Sequence, residues 1–254
     1  MPWDPMIYST FAAPRLRPAL DLLARVGAEA PSAVAARGCG PGPVTRLLAE
    51  RWPDAAVTGI DSSPEMLLSA RGECPFVDWQ EGDIAAWEPG RPLDVLFSNA
   101  ALHWLGDHGP LFRRLMEMVA DGGWLAVQMP HNHDAASHTA MAEAAAAGPW
   151  AATLAPLLRH RPVADAAFYY DVLASMADHL DIWETEYLHV LEGDNPVVTW
   201  TAGTALRPLL DALDEPWKAG FLADYSARGR AAYPPRADGH TLLPFKRLFI
   251  VAQR

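Results

Sequence analysis

Four short segments put small or polar residues where an α/β sheet would end its strands: Gly38-Cys39-Gly40-Pro41-Gly42, Asp61, Gly82-Asp83-Ile84 and Ser98-Asn99-Ala100. Glycines between a strand and a helix permit positive φ and let backbone N–H groups come close to a ligand. A carboxylate ending the next strand, about twenty residues on, can accept hydrogen bonds from ribose hydroxyls. These residue types suit a nucleoside with a short tail. The dinucleotide fingerprint G-x-G-x-x-G/A is not met, because its last position falls on Pro43. No Ser-His-Asp set and no Cys with a neighbouring base is visible, so no catalytic dyad is expected. His131 and His133 with Asp134 form a pair that could ligate a metal, but a loop after a strand tolerates the same residues, and no metal is expected.

The elements that must position these residues follow from periodicity. "PRLRPALDLLARV" carries leucines at helical spacing and ends at Gly27. From there strands and helices alternate: "SAVAAR", "AAVTGID", "PFVDWQEGD", "LDVLFSNA" and "GWLAVQM" read as strands. "PVTRLLAERW", "SPEMLLSARG" and "GPLFRRLMEMVA" read as helices. That alternation predicts a parallel sheet covered by helices on both faces. After Met129 the pattern changes to helical or irregular segments, then "DIWETEYLHVL", more helix, and a closing "KRLFIVAQR" strand. An antiparallel edge and a helical cap over the strands' carboxyl ends are the expectation, and ligands of open α/β sheets bind at those ends.

Bulk composition narrows the function. The 254 residues are half apolar, enough for a substantial core, and the net charge of −11 argues against nucleic acid or an anionic membrane as partner. Cys39 and Cys74 are too few for a disulfide framework. With no signal-peptide pattern and no apolar run of spanning length, a cytoplasmic protein is expected. Oligomeric state is not readable.

The segments "GCGPG", "GIDSSPEML", "GDI", "SNAALHW" and "LAVQMP" resemble class I S-adenosylmethionine (SAM)-dependent methyltransferases. "YSTFAAPRLRPALDLLARV", "TALRPLLDAL", "AAYPPRADG" and "LPFKRLFIVA" are similar to the trans-aconitate 2-methyltransferase group within that class, so the resemblance runs over nearly the whole chain. It implies an α/β fold: a seven-stranded, Rossmann-like class I methyltransferase sheet with helical cap insertions, in one domain. The core would take residues of about 30–130, 180–192 and 246–254, and the cap 1–28, 131–178 and 195–236. The implied activity is SAM-dependent O-methylation of a carboxylate on a small polycarboxylic acid such as trans-aconitate. Another small-molecule hydroxyl or amine as acceptor, or a non-catalytic SAM-fold binding protein, are the alternatives.

By the same resemblance Gly38 and Gly40 line the methionine part of SAM, and Asp61 holds the ribose, with Ser62 and Met66 beside the adenosine. Asp83 and Ile84 face the adenine, while Asn99, Ala100 and His103 lie under the sulfonium. A plain turn residue is the lesser reading of Asp83, a core helix residue the even alternative for Met66, and Trp104 is read as packing. Carboxylate binding calls for planar guanidinium forks and hydroxyls. The candidates are Arg207, Arg247, Arg15, Tyr8 and Tyr170.

One departure stands out. Two positions ahead of the first glycine the family carries an acidic residue that helps hold SAM's ammonium group, and here that place is Ala36. Losing a charge-assisted hydrogen bond removes about 1.5–3 kcal/mol. Arg37 follows where a hydrophobic residue is expected. Strand alternation turns it away from the Ala36 side into helix packing, so it must snorkel outward or meet a carboxylate.

Overall fold

The computed structural model describes residues 12–159 and 163–254. Seven strands form one sheet: β1 (Ala33–Arg37), β2 (Ala56–Asp61), β3 (Asp78–Glu81), β4 (Leu93–Asn99), β5 (Val119–Pro130), β6 (His179–Leu191) and β7 (Thr241–Gln253). Their order is β3-β2-β1-β4-β5-β7-β6. β1 pairs in parallel with β2 and β4, β2 with β3, and β4 with β5, whereas β7 runs antiparallel to β5. The expected seven-stranded α/β fold is therefore present. Strand order reverses at β1 and β4, the switch point where such sheets open a crevice at their carboxyl ends.

Local sequence explains the elements around that crevice. β1, Ala-Val-Ala-Ala-Arg, is buried at every position, as an inner parallel strand must be. Ala33 and Ala35 join the core cluster that also takes Leu111, Phe112 and Leu115 of one covering helix. At the amino end the Asp94 carboxylate accepts from the Ser32 and Ala33 amides and the Ser32 hydroxyl at 2.7–2.9 Å, which aligns β1 with β4.

Among the described residues the α-helices, in chain order, are α1 (Ala12–Leu23), α2 (Pro43–Arg51), α3 (Pro64–Glu73), α4 (His108–Glu117), α5 (Ala136–Ala147), α6 (Ala151–Leu154), α7 (Ala166–Leu173), α8 (Pro196–Ala202), α9 (Arg207–Asp211) and α10 (Trp217–Ala232). Proline opens α2 and α3, where its missing N–H costs nothing. The Ser63 side chain caps α3 by accepting the Met66 amide.

The chain divides into two compact units. Of the described residues, one takes 12–130, 163–185 and 247–254, the other 131–159 and 186–246. The second unit is built around α5 and α10, with Ala140, Ala144, Trp150, Leu209, Phe221 and Tyr225 in its core. Within the first unit α1 packs against β5 and α2, and Tyr169, Val172 and Leu173 of α7 bury in the sheet's own core.

Candidate functional site

Within the sheet unit, register brings the carboxyl ends of β1, β2 and β4 level: Ala36 lies opposite both Gly59 and Phe97, and Arg37 opposite Ile60. The glycine turn leaves β1 with φ of +73° at Gly38, +54° at Gly40 and +95° at Gly42. Gly38 and Cys39 donate their amides to the Ile60 carbonyl at 2.8 and 3.0 Å, folding the turn back over β2.

Asp61 is the keystone. One carboxylate oxygen accepts the Gly40 amide at 2.8 Å, the other the Ser63 amide at 2.9 Å, and its carbonyl accepts Gly82 N–H at 3.0 Å. One residue thus ties together the glycine turn, the start of α3 and the Gly82-Asp83-Ile84 segment. A carboxylate has about four lone-pair positions, so Asp61 retains acceptor capacity for a diol. Buried Cys39 lies beside it. Burial and the Asp61 charge push its thiol well up, so it stays protonated and is no nucleophile.

Most of the other expected cofactor residues gather on the same strand ends. An added Cβ at Gly38 would meet the Ala101 methyl at 2.2 Å and Ile84 at 3.7 Å, which places Ile84 and the loop after β4 against the glycine turn. Asp83 is exposed and makes a turn of its own, accepting the Ala85 amide at 2.8 Å. Ser62 is exposed and Met66 is only 4% exposed, a core position. Ala100 sits at φ +53°, rare for a side-chain-bearing residue, and is held there by its N–H, which donates to the Gln128 carbonyl at 2.9 Å. Asn99 presents a buried Oδ1 that no described residue satisfies. His103 lies on the single turn 102–104 with its ring 4.7 Å from Trp104.

That turn is held from below by a buried relay. The Leu102 carbonyl can only accept, so His108 Nε2 carries the proton (3.1 Å) and Nδ1 accepts from the Tyr169 hydroxyl at 2.6 Å. The Tyr169 oxygen in turn accepts the Ala164 amide at 3.2 Å, and burial pushes its phenol up to about 12. Tyr169→Phe removes the hydroxyl that bonds His108 Nδ1 and the Ala164 amide. It is expected to cost about 2 kcal/mol, a fall of about 4–8 °C in Tm, readable by thermal melting.

The acceptor candidates scatter more widely. Tyr8 lies outside the described residues, and of Arg15 only the α1 backbone is described. Tyr170 on α7 is exposed. Arg207 opens α9 in the helical unit and pairs with Asp211 at 3.6 Å. Arg247 is different: it is 4% exposed, sits opposite Pro130 at the carboxyl end of β5, and donates to Gln128 Oε1 at 3.3 Å.

Gln128 itself went unnoticed in the sequence. It is fully buried, pairs with Asn99 across β4 and β5, and its Nε2 has no partner among the described residues. Asn99, Gln128 and Arg247 form a polar row at the crevice end of three neighbouring strands. A lone glutamine inside the apolar run "LAVQM" was the available signal.

Arg37 corrects an expectation. It neither snorkels outward nor reaches a carboxylate: it is 1% exposed, its Nε donates to the Ile84 carbonyl, and its Nη1 contacts Met118 Sδ at 3.3 Å. The guanidinium carbon lies 5.8 Å from the centre of the Trp87 ring. Burial first, and Arg114 second, lower its pKa to about 10, with Asp83 and Glu88 opposing. A depression of that size costs about 3 kcal/mol at any pH below the folded value. Because the penalty is relieved only above pH 10, it does not vary between pH 5 and 9.

Comparison with known proteins settles the class. A family model described as a methyltransferase domain matches residues 34–123. A trans-aconitate 2-methyltransferase from Azoarcus sp. strain BH72 is 49% identical over 252 residues, covering 99% of both chains. The chain belongs to the trans-aconitate 2-methyltransferase family. A second member of this family, from Paracidovorax citrulli, is 48% identical over 99% of this chain and 98% of its own. The YcgJ protein from Bacillus subtilis superposes with a TM-score of 0.57 over 94% of this chain and 98% of its own, at 14% identity, a likeness of fold. The family member described here is a methyltransferase that uses SAM as methyl donor. Its residues fit that donor: a doubly bonded carboxylate with acceptor capacity left, open space at Gly40, where an added Cβ meets nothing within 4 Å, and the unsatisfied Asn99 Oδ1. No described helix is long and apolar enough to cross a membrane.

Proposed function

We propose that the protein methylates a carboxylate of trans-aconitate. The observation that carries this reading is Arg247, a guanidinium buried at the crevice end of the sheet and bonded to Gln128. A buried planar cation there suits a carboxylate held in two places. The named substrate of the 49% identical relative points the same way.

SAM, when bound, supplies an electrophilic methyl group on a sulfonium. Gly38 and Gly40 lend backbone to its amino-acid end, Asp61 takes the ribose hydroxyls with Ser62 and Met66 alongside, and Asp83 and Ile84 meet the adenine. Asn99, Ala100 and His103 line the side where the methyl leaves. An acceptor carboxylate is ionised at neutral pH, so no side chain has to remove a proton. The protein's share is orientation, exclusion of water and charge complementarity. Arg247 grips one acid group, and Arg207, Arg15, Tyr8 and Tyr170 are the candidates for the others. The net charge of −11 supports a protein without a nucleic-acid or anionic-membrane partner, and the cytoplasm is its proposed compartment.

A labelled methyl-transfer screen over small di- and tricarboxylic acids, with hydroxyl and amine metabolites alongside, tests the reading. Trans-aconitate is expected to lead the panel. In the same assay Arg247→Lys is expected to raise KM for the acid at least tenfold, about 1.4 kcal/mol, with affinity for S-adenosylhomocysteine changed less than threefold. Faster turnover of a hydroxyl or amine compound, or equal loss of acid and cofactor binding, would overturn it.

A further inference from the structure

We propose that Arg37 is a positioning residue for recognition of the cofactor's base: it clamps the 82–87 turn, and with it Asp83 and Ile84, against β1 beside the glycine turn. The inference rests on the reading above that Asp83 and Ile84 meet the adenine.

The turn satisfies most of its own polar groups. The Asp83 side chain accepts Ala85 N–H, and the Asp83 carbonyl accepts the amides of Ala86 at 3.0 Å and Trp87 at 2.8 Å. The Trp87 indole N–H donates to Gln80 Oε1 at 2.9 Å. The Ile84 carbonyl is the group that Arg37 Nε–H takes, across 47 residues of sequence. The same guanidinium faces the Trp87 ring, a cation–π arrangement worth more when desolvated. Arg37 therefore holds the turn at two points, a carbonyl and a ring, three residues apart.

At its other end Arg37 is equally fixed. Its carbonyl accepts the Ser98 hydroxyl at 2.8 Å, and the next residue is Gly38. The turn that presents Asp83 is thus referenced to the same strand end as the turn that receives the methionine portion. A buried cation without a carboxylate hydrogen bond is a costly way to fill a core. A methionine or leucine would pack there more cheaply, yet neither can donate to Ile84 O. What the arginine adds over an apolar side chain is the fixed geometry of the turn.

The test compares Arg37→Met, Arg37→Lys, Asp83→Ala and the Arg37→Met/Asp83→Ala pair by calorimetry. The probes are S-adenosylhomocysteine and S-inosylhomocysteine, which carries a 6-oxo group in place of the 6-amino group. Arg37→Met is expected to weaken S-adenosylhomocysteine at least tenfold and to shrink the preference over the inosine analogue. Arg37→Lys, which keeps a donor, should recover part of both. KM for SAM should rise while kcat at saturating donor changes less than threefold. In the Asp83→Ala background, Arg37→Met should change the preference between the two analogues less than twofold, since both act on the contact to the 6-amino group.

Equal losses for the two analogues, or additive effects in the pair, would leave Arg37 a packing residue and overturn the proposal. If Asp83→Ala changes neither affinity nor preference, the adenine reading itself fails and the proposal falls with it. Should Arg37→Met not fold, Trp87→Leu removes the other contact of the clamp and is read against the same outcomes.

Discussion

Asp61→Asn should weaken S-adenosylhomocysteine binding at least a hundredfold, about 2.7 kcal/mol. The substitution keeps the size of the side chain and alters only what it can accept. In the parent, both oxygens receive backbone amides, from Gly40 at 2.8 Å and Ser63 at 2.9 Å. An amide side chain offers one oxygen, so one of those N–H groups must face an NH2 group. A hydrogen bond to a charged group contributes about 1.5–3 kcal/mol, and a stranded donor costs a similar amount. The glycine turn then loses its fixed distance from α3, and any ribose diol loses its anionic acceptor. Calorimetry reads the affinity loss directly. Melting separates the two roles, because the brace is present without ligand whereas the diol contact is not. A melting temperature lowered by several degrees with affinity changed less than threefold would make Asp61 a structural brace alone.

The glycine turn and Asp61 could be read from the sequence because their constraints are local. Positive φ demands glycine at Gly38 and Gly42, and a carboxylate closing a strand two residues before a capping serine has few other uses. The same holds for the strand and helix alternation up to Met129, where the parallel sheet was legible from periodicity alone. Arg37 was not legible. Alternation correctly sent it to the helix-covered face, but its partners are Ile84, Trp87 and Met118, up to 81 residues away. A carbonyl, a ring and a sulfur leave no charge pattern in a sequence. The His108–Tyr169 relay is hidden for the same reason, with 61 residues between its ends. What places α7 on the sheet is Phe112 on α4, whose ring lies 4.7 Å from Tyr169.

Gly38→Ala and Gly40→Ala, two residues apart, are expected to fail in opposite ways. Both glycines have positive φ, +73° and +54°, so each alanine carries the left-handed backbone penalty of about 1–2 kcal/mol. Their surroundings separate them. At Gly38 the new methyl would lie 2.2 Å from the Ala101 Cβ, and Ala101 is buried on the turn whose Leu102 carbonyl is held by His108. Neither methyl has a rotamer to move to, so β1 or the 100–104 loop must shift bodily. Gly38→Ala should therefore lose soluble, cooperatively melting protein altogether, or melt more than 10 °C below the parent. At Gly40 nothing lies within 4 Å. That variant should fold, with Tm lowered by about 2–8 °C, and still lose at least thirtyfold in S-adenosylhomocysteine affinity, because a methyl there fills the open space that the proposed cofactor cradle leaves for the ligand. Parallel melting and calorimetry on the pair distinguish the cases. A Gly40→Ala protein that binds the cofactor like the parent would show that the ligand does not approach that backbone. The glycine would then be there for the turn alone, and the cradle would have to be sought nearer Asn99.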